Sequence, residues 1–110
     1  MGSPYDCEKR APAAASLERL GLEADDRVMS AHGTPLAVSA FAAAARDDGD
    51  AAFICGAGMA AQLAGAVAAQ TTLPVVGVPL SGGGIGGVDA LDSTDQMPKG
   101  IPVATVAIDG

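Results

Sequence analysis

His32 is the only histidine in the chain, and it sits in the hexapeptide Ser30-Ala31-His32-Gly33-Thr34-Pro35. Imidazole is the side chain whose ordinary titration range spans neutral pH, so imidazole acid–base chemistry has a single candidate here. Three further segments share the setting of His32, each lying just past a predicted strand. They are Gly2-Ser3, Gly56-Ala57-Gly58 and Pro79-Leu80-Ser81-Gly82. Together the four supply one imidazole, the hydroxyls of Ser3, Ser30 and Ser81, and backbone N–H groups at helix starts. That set suits a polar cleft for a small anionic molecule, with proton transfer at His32. Each element also has a structural reading. Ser3 and Ser30 fit helix caps, Asp6 complements a helix dipole, Gly56-Ala57-Gly58 makes a tight turn, and Gly82 to Gly87 forms a loop. The turn position of His32 favours chemistry over a merely structural histidine.

The elements that must position these turns alternate between strand and helix. A helix is predicted from Pro4 to Leu20, weakened at Pro12 and stopped by Gly21. A strand follows over Arg27–Ala31. Thr34 reads as the N-cap of a helix with Pro35 at its first position, ended by Asp47-Asp48-Gly49. Ala51–Cys55 is a continuous apolar strand, and Met59–Gln70 reads as the third helix. Leu73–Pro79 is the next strand, Asp89–Gln96 a short helix, and Val103–Ile108 the last strand. Four strands joined by helices imply βαβ units, right-handed crossovers and a parallel sheet. All four turns then come to one edge of that sheet.

The composition agrees with one α/β domain over residues 1–110. Hydrophobic residues make up 49% and aromatic ones 3%, so the core must be built from aliphatic and small side chains. The net charge of −7 argues against a nucleic-acid partner and against attachment to an anionic membrane. No apolar run is long enough to span a bilayer, and the first residues are not a secretory signal, so a cytoplasmic location is expected. Cys7 and Cys55 show neither CxxC nor metal-ligand spacing, which reads as two reduced cysteines and no metal site. Gly56-Ala57-Gly58 completes neither a dinucleotide fingerprint nor a Walker motif.

Five motifs occur in order: Gly2-Ser3-x-x-Asp6, Ser30-Ala31-His32-x-Thr34-Pro35, Gly56-Ala57-Gly58-x-Ala60-Ala61, Leu73 to Pro79, and Gln96-Met97-Pro98-x-Gly100-Ile101-Pro102-Val103-Ala104-Thr105. They resemble the N5-carboxyaminoimidazole ribonucleotide mutase and phosphoribosylaminoimidazole carboxylase family of purine biosynthesis. The resemblance implies a flavodoxin-like three-layer αβα sandwich, usually a homo-octamer. It implies carboxylate transfer to carbon 4 of an aminoimidazole ribonucleotide, with no metal and no organic cofactor. His32 matches the family's general acid/base. Ser3 and Asp6 match ribonucleotide contacts, and Gly56, Ala57 and Gly58 match the loop against the imidazole and carboxylate. Ser30, Gly33 and Gln62 complete the candidate substrate-binding set.

The chain departs from the family pattern at several of these positions. Gly33 stands where the family has a phosphate-holding arginine, and Gln62 where it has a second histidine. Tyr5 replaces a serine and Ala64 a proline. The family's first strand and its C-terminal helix, which packs between subunits, have no counterpart in these residues. Three readings therefore stand side by side. The first is the family's mutase or carboxylase, and the second a diverged carboxylase or decarboxylase acting on another small molecule. The third is an inactive relative that only binds a ligand or partner.

Overall fold

The computed structural model describes residues 1–110. At its centre is a parallel sheet ordered β1 (Phe53–Gly58), β2 (Val75–Leu80), β3 (Ala104–Thr105). Phe53 is in register with Val75 and Gly58 with Leu80. Side chains alternate across a pleated strand. Phe53, Cys55 and Ala57 of β1 and Val75 and Gly77 of β2 are accordingly buried, while Ile54 is exposed and Val76 and Val78 are half-buried.

The buried face carries the core. Val38, Ala42 and Ala45 come from α2 (Pro35–Asp48), Leu63, Ala64 and Val67 from α3 (Leu63–Ala68), and Ala90 from α4 (Val88–Asp95). So many alanines let the helices lie close to the sheet. The one aromatic pair, Phe41 on α2 and Phe53 on β1, meets edge to face with centroids 5.8 Å apart. Gly49 ends α2 at φ 95°, where Asp50 N–H donates to Ala45 O at 2.9 Å. This left-handed position is one that glycine adopts without strain.

Backbone hydrogen bonds extend the order beyond β1. Gly2 N–H donates to Gly56 O at 2.9 Å, Met29 N–H to Met1 O at 2.9 Å, and the Met1 ammonium to Arg27 O at 2.8 Å. Met1–Gly2 therefore lies between β1 and the segment 27–29. The spatial sequence is 27–29, 1–2, β1, β2, β3, the 2-1-3-4-5 order of a flavodoxin-like fold. The connections through α1 (Ala11–Arg19) and α2 run across the sheet in opposite directions. Right-handed crossovers of opposite direction occupy opposite faces, so α1 lies on the far side from α2.

Five predicted elements need correction. Gly56-Ala57-Gly58 is not a turn after a strand that ends at Cys55 but the end of β1 itself, in register with Val78, Pro79 and Leu80 of β2, and the turn comes at Met59–Gln62. The segment 27–31 is not a strand, because its backbone pairing is limited to Met29 N–H on Met1 O and the Met1 ammonium on Arg27 O, too little for a ladder. It is held instead by side chains, with Met29 packed on the core and the Arg27 guanidinium 5.3 Å from the Phe41 ring centroid. The first helix is split into a 3-10 helix over Pro4–Arg10 and α1. Pro12 has no N–H for the carbonyl of Glu8, which accepts from Ala11 N–H instead. The third helix begins at Leu63 rather than Met59, since Met59 stands at φ 56° and breaks the helical path. The last strand pairs only over Ala104–Thr105.

Gly77 shows how tightly the covered face is packed. A Cβ there would collide with the buried Thr94 methyl of α4 and lie 2.9 Å from Val103 Cγ1. Thr94 cannot retreat easily, because its hydroxyl donates to Ala90 O at 2.7 Å. Gly77→Ala is expected to destabilise the fold by about 1–3 kcal/mol, the usual cost of overpacking. Urea unfolding of the two proteins should show a lower midpoint at an unchanged slope, and equal midpoints would refute the packing argument.

Candidate active site

Ser30 organises the turn that carries His32. Its Oγ accepts from His32 N–H at 3.2 Å and from Gly33 N–H at 2.9 Å. Thr34 closes the same turn, its N–H and its hydroxyl both donating to Ser30 O, while its Oγ1 accepts from Ser30 N–H at 2.9 Å. Thr34 is the N-cap of α2 by position, as predicted, but its hydroxyl serves the turn and makes no side-chain cap. Local side-chain to backbone bonds of this kind fix a loop without burying it.

The loop between β1 and α3 supplies the opposite wall. Met59 holds a left-handed backbone at φ 56°, and tight bonds follow from Ala61 N–H to Met59 O and from Gln62 N–H to Ala60 O. A non-glycine residue in that region marks a conformation imposed by its surroundings. The path delivers Gln62 to the entry of α3, where its carbonyl accepts from Ala66 N–H at 2.9 Å. Gln62 Oε1 then lies 2.9 Å from His32 Nε2.

Between these walls opens a cleft lined by Gly2, Ser3, Asp6, His32, Gly58 and Gln62, with Ser30, Ala31, Ala57, Ala60 and Leu63 filling the floor and sides. Seven of the nine candidate residues thus line one cavity: His32 and, with it, Ser3, Asp6, Ser30, Ala57, Gly58 and Gln62. Gly33 and Gly56 are outside the lining. Gly33 faces Ser30 through its N–H, and the Gly56 carbonyl is taken by Gly2 N–H. Ser3 caps the first 3-10 helix by accepting from Tyr5 N–H at 3.1 Å, so its predicted capping role is present within the cleft wall. Close approach is needed here, for a Cβ on Gly2 would sit 3.3 Å from Ala57 Cβ. The lining contains no lysine or arginine.

The fourth turn is anchored beside the cleft rather than in it. Ser81 N–H donates to Asp109 Oδ1 at 2.9 Å, and its hydroxyl donates to the other carboxylate oxygen. Lys9 Nζ donates to Ser81 O, Ser81 Oγ and Asp109 Oδ1 at 2.7, 2.9 and 2.7 Å. This clasp ties the first 3-10 helix, which carries Asp6, to the start of the glycine-rich loop. Sequence reasoning counted Ser81 among the cleft hydroxyls and missed Lys9 and Asp109, which no local motif connects. The Lys9 ammonium, followed by the Ser81 donors, holds the Asp109 carboxyl down at about 2. A carboxylate held below its ordinary 3.8 contributes stability above that value and loses it as pH falls toward about 2. The clasp is therefore expected to open between these two values, with the protection of the Ser81 N–H against exchange, taken relative to the intrinsic rate at the same pH, lower there than at neutral pH. Unchanged protection would show that the clasp does not hold the loop.

Cys55 behaves as the sequence suggests. Burial pushes its thiol up to about 11, so it is a core residue and not a nucleophile at neutral pH. No helix is long and apolar enough to cross a membrane.

Comparison with known proteins gives the arrangement a lineage. The sequence model of AIR carboxylase matches residues 1–110. The chain belongs to the AIR carboxylase family. Among curated members, the N5-carboxyaminoimidazole ribonucleotide mutase of Mycobacterium tuberculosis (strain CDC 1551 / Oshkosh) is 50% identical over 110 residues, all of this chain and 63% of that protein. The phosphoribosylaminoimidazole carboxylase of Saccharomyces cerevisiae is 49% identical over 108 residues, 98% of this chain and 19% of that protein. The mutase of Saccharolobus solfataricus is 46% identical over 110 residues, all of this chain and 70% of that protein. The chain thus spans about two thirds of the mutase relatives and a fifth of the yeast one. Membership in the AIR carboxylase family bears out the reading of the five ordered motifs.

Proposed function

We propose that this chain transfers a carboxylate to carbon 4 of aminoimidazole ribonucleotide, converting N5-carboxyaminoimidazole ribonucleotide to its 4-carboxy isomer in purine biosynthesis. The observation that carries the reading is the cleft itself, which sets the only imidazole of a family member among Ser3, Asp6, Gly58 and Gln62. The names of the mutase and carboxylase relatives support the reaction class.

The reaction has a definite proton balance. The bond from N5 to its carboxylate breaks and N5 gains a proton. The bond from carbon 4 to the carboxylate forms and carbon 4 loses one. A single group that gives the first proton and takes the second closes the cycle, and His32 is the group able to do both. Ala57 and Gly58 line the cleft, and this reading assigns their backbone N–H groups to the charge that develops on the migrating carboxylate. Ser3, Ser30 and Asp6 offer hydroxyl and carboxylate partners to the ribose. The test is conversion of N5-carboxyaminoimidazole ribonucleotide by the purified protein, followed by ultraviolet absorbance of the 4-carboxy product. Turnover above the uncatalysed rate supports the reading, and none at saturating substrate removes it.

A second reading, carboxylation or decarboxylation of another small molecule, is favoured by one observation. The lining has no cationic side chain to pair with a phosphate. Under that reading a substrate without phosphate outcompetes the ribonucleotide.

A further inference from the structure

We propose that Gln62 is the positioning residue that selects the tautomer of His32. The inference rests on the reading of His32 as the proton-transfer group, but its central test needs no substrate. Gln62 Oε1 and His32 Nε2 are 2.9 Å apart. An amide oxygen only accepts, so the bond requires the proton to be on Nε2. Nδ1 makes no hydrogen bond within the chain, and in the neutral ring it then holds the lone pair. Nδ1 is then the atom that gives the proton to N5 from the cationic ring and takes the proton of carbon 4 in the neutral one.

The backbone gives Gln62 little freedom to do anything else. The tight turns from Met59 to Gln62 set where its Cα lies, and its main chain opens α3 through the bond from Ala66 N–H. On the other side His32 is held by Ser30 Oγ through its own N–H. Two rigid turns, thirty residues apart in sequence, thus present an acceptor to one ring nitrogen and leave the second unpartnered. When Nδ1 takes a proton the ring becomes cationic, and the bond to Oε1 becomes charge-assisted and stronger. Gln62 then stabilises the protonated ring without titrating itself, so every proton stays on one imidazole.

The single histidine makes the test direct. Long-range proton–nitrogen correlation spectra of the uniformly nitrogen-labelled protein, above the imidazole titration, report which ring nitrogen carries hydrogen. The expected spectrum is that of one tautomer, protonated at Nε2. Gln62→Leu is expected to return the ring to the mixed tautomers of free imidazole, while Gln62→Glu, which keeps an acceptor oxygen, retains Nε2–H. Hydrogen on Nδ1 in the unaltered protein, or an unmixed Nε2–H spectrum in Gln62→Leu, would overturn the proposal. With turnover established, Gln62→Leu should lower kcat about tenfold with KM changed less, the loss expected of one hydrogen bond. A change confined to KM would also overturn it. If the unaltered protein shows no turnover, the carboxylate-transfer reading fails while the tautomer result still decides the role of Gln62.

Discussion

His32→Asn is expected to lower turnover by roughly 10²–10⁴-fold, the range in which positioned proton transfer contributes. The size follows from the absence of a substitute, since the chain has no second histidine. Asp6 shares the cleft, but this reading assigns it to the ribose and not to the migrating proton. Asparagine is the informative replacement because it is polar, does not exchange protons and fits the same turn. Its amide reaches only to about the place of Nδ1, so the Nε2 bond to Gln62 goes with the ring, but the Ser30 turn is held through the backbone N–H groups of residues 32 and 33 and stays in place. Matched thermal unfolding of the two proteins confirms that point. Turnover within twofold of the unaltered protein would show that the proton is handled by solvent or substrate, and the assignment of His32 would fall.

His32 is legible as a cleft residue because its signal is local. Small residues after an apolar run, a hydroxyl cap position at Thr34 and Pro35 behind it are all features within a few residues. Each acts through steric or hydrogen-bond effects of that range. The parallel sheet was legible for a related reason, because βαβ connections leave few alternatives. What was not legible is set by distance or by strain. Lys9 and Asp109 meet across 100 positions, and nothing in either neighbourhood announces the other. Met59 takes a left-handed backbone that its residue type disfavours, so the helix drawn from Met59 begins four residues late. The predicted strand at Arg27–Ala31 has the right side chains and the wrong neighbours, for a strand needs a partner of its own length.

Gly33→Arg should tighten binding of aminoimidazole ribonucleotide by about 10–100-fold, the value of one hydrogen bond to a charged group at about 1.5–3 kcal/mol. The structure accepts the substitution. A Cβ on Gly33 would lie 3.4 Å from Ser30 Cβ and 3.5 Å from Ser30 Oγ, ordinary contact distances, and the residue is exposed. Its N–H keeps the bond to Ser30 Oγ, so the His32 turn survives. The electrostatic need is also plain. The cleft lining holds Asp6 and no cation, in a chain of net charge −7. A dianionic phosphate approaching it meets a repulsive field unless a local donor offsets it. A guanidinium one residue from the imidazole supplies two parallel donors in a geometry that matches phosphate. Titration calorimetry with the ribonucleotide and with its dephosphorylated nucleoside separates this effect from a general gain. The ribonucleotide should gain and the nucleoside should not, and the gain should shrink as salt is raised. Equal gains would place the new cation against some other part of the ligand. No gain for either would mean that phosphate does not lie beside residue 33, and the pose that aligns this cleft with a ribonucleotide would have to be given up in favour of a substrate without phosphate.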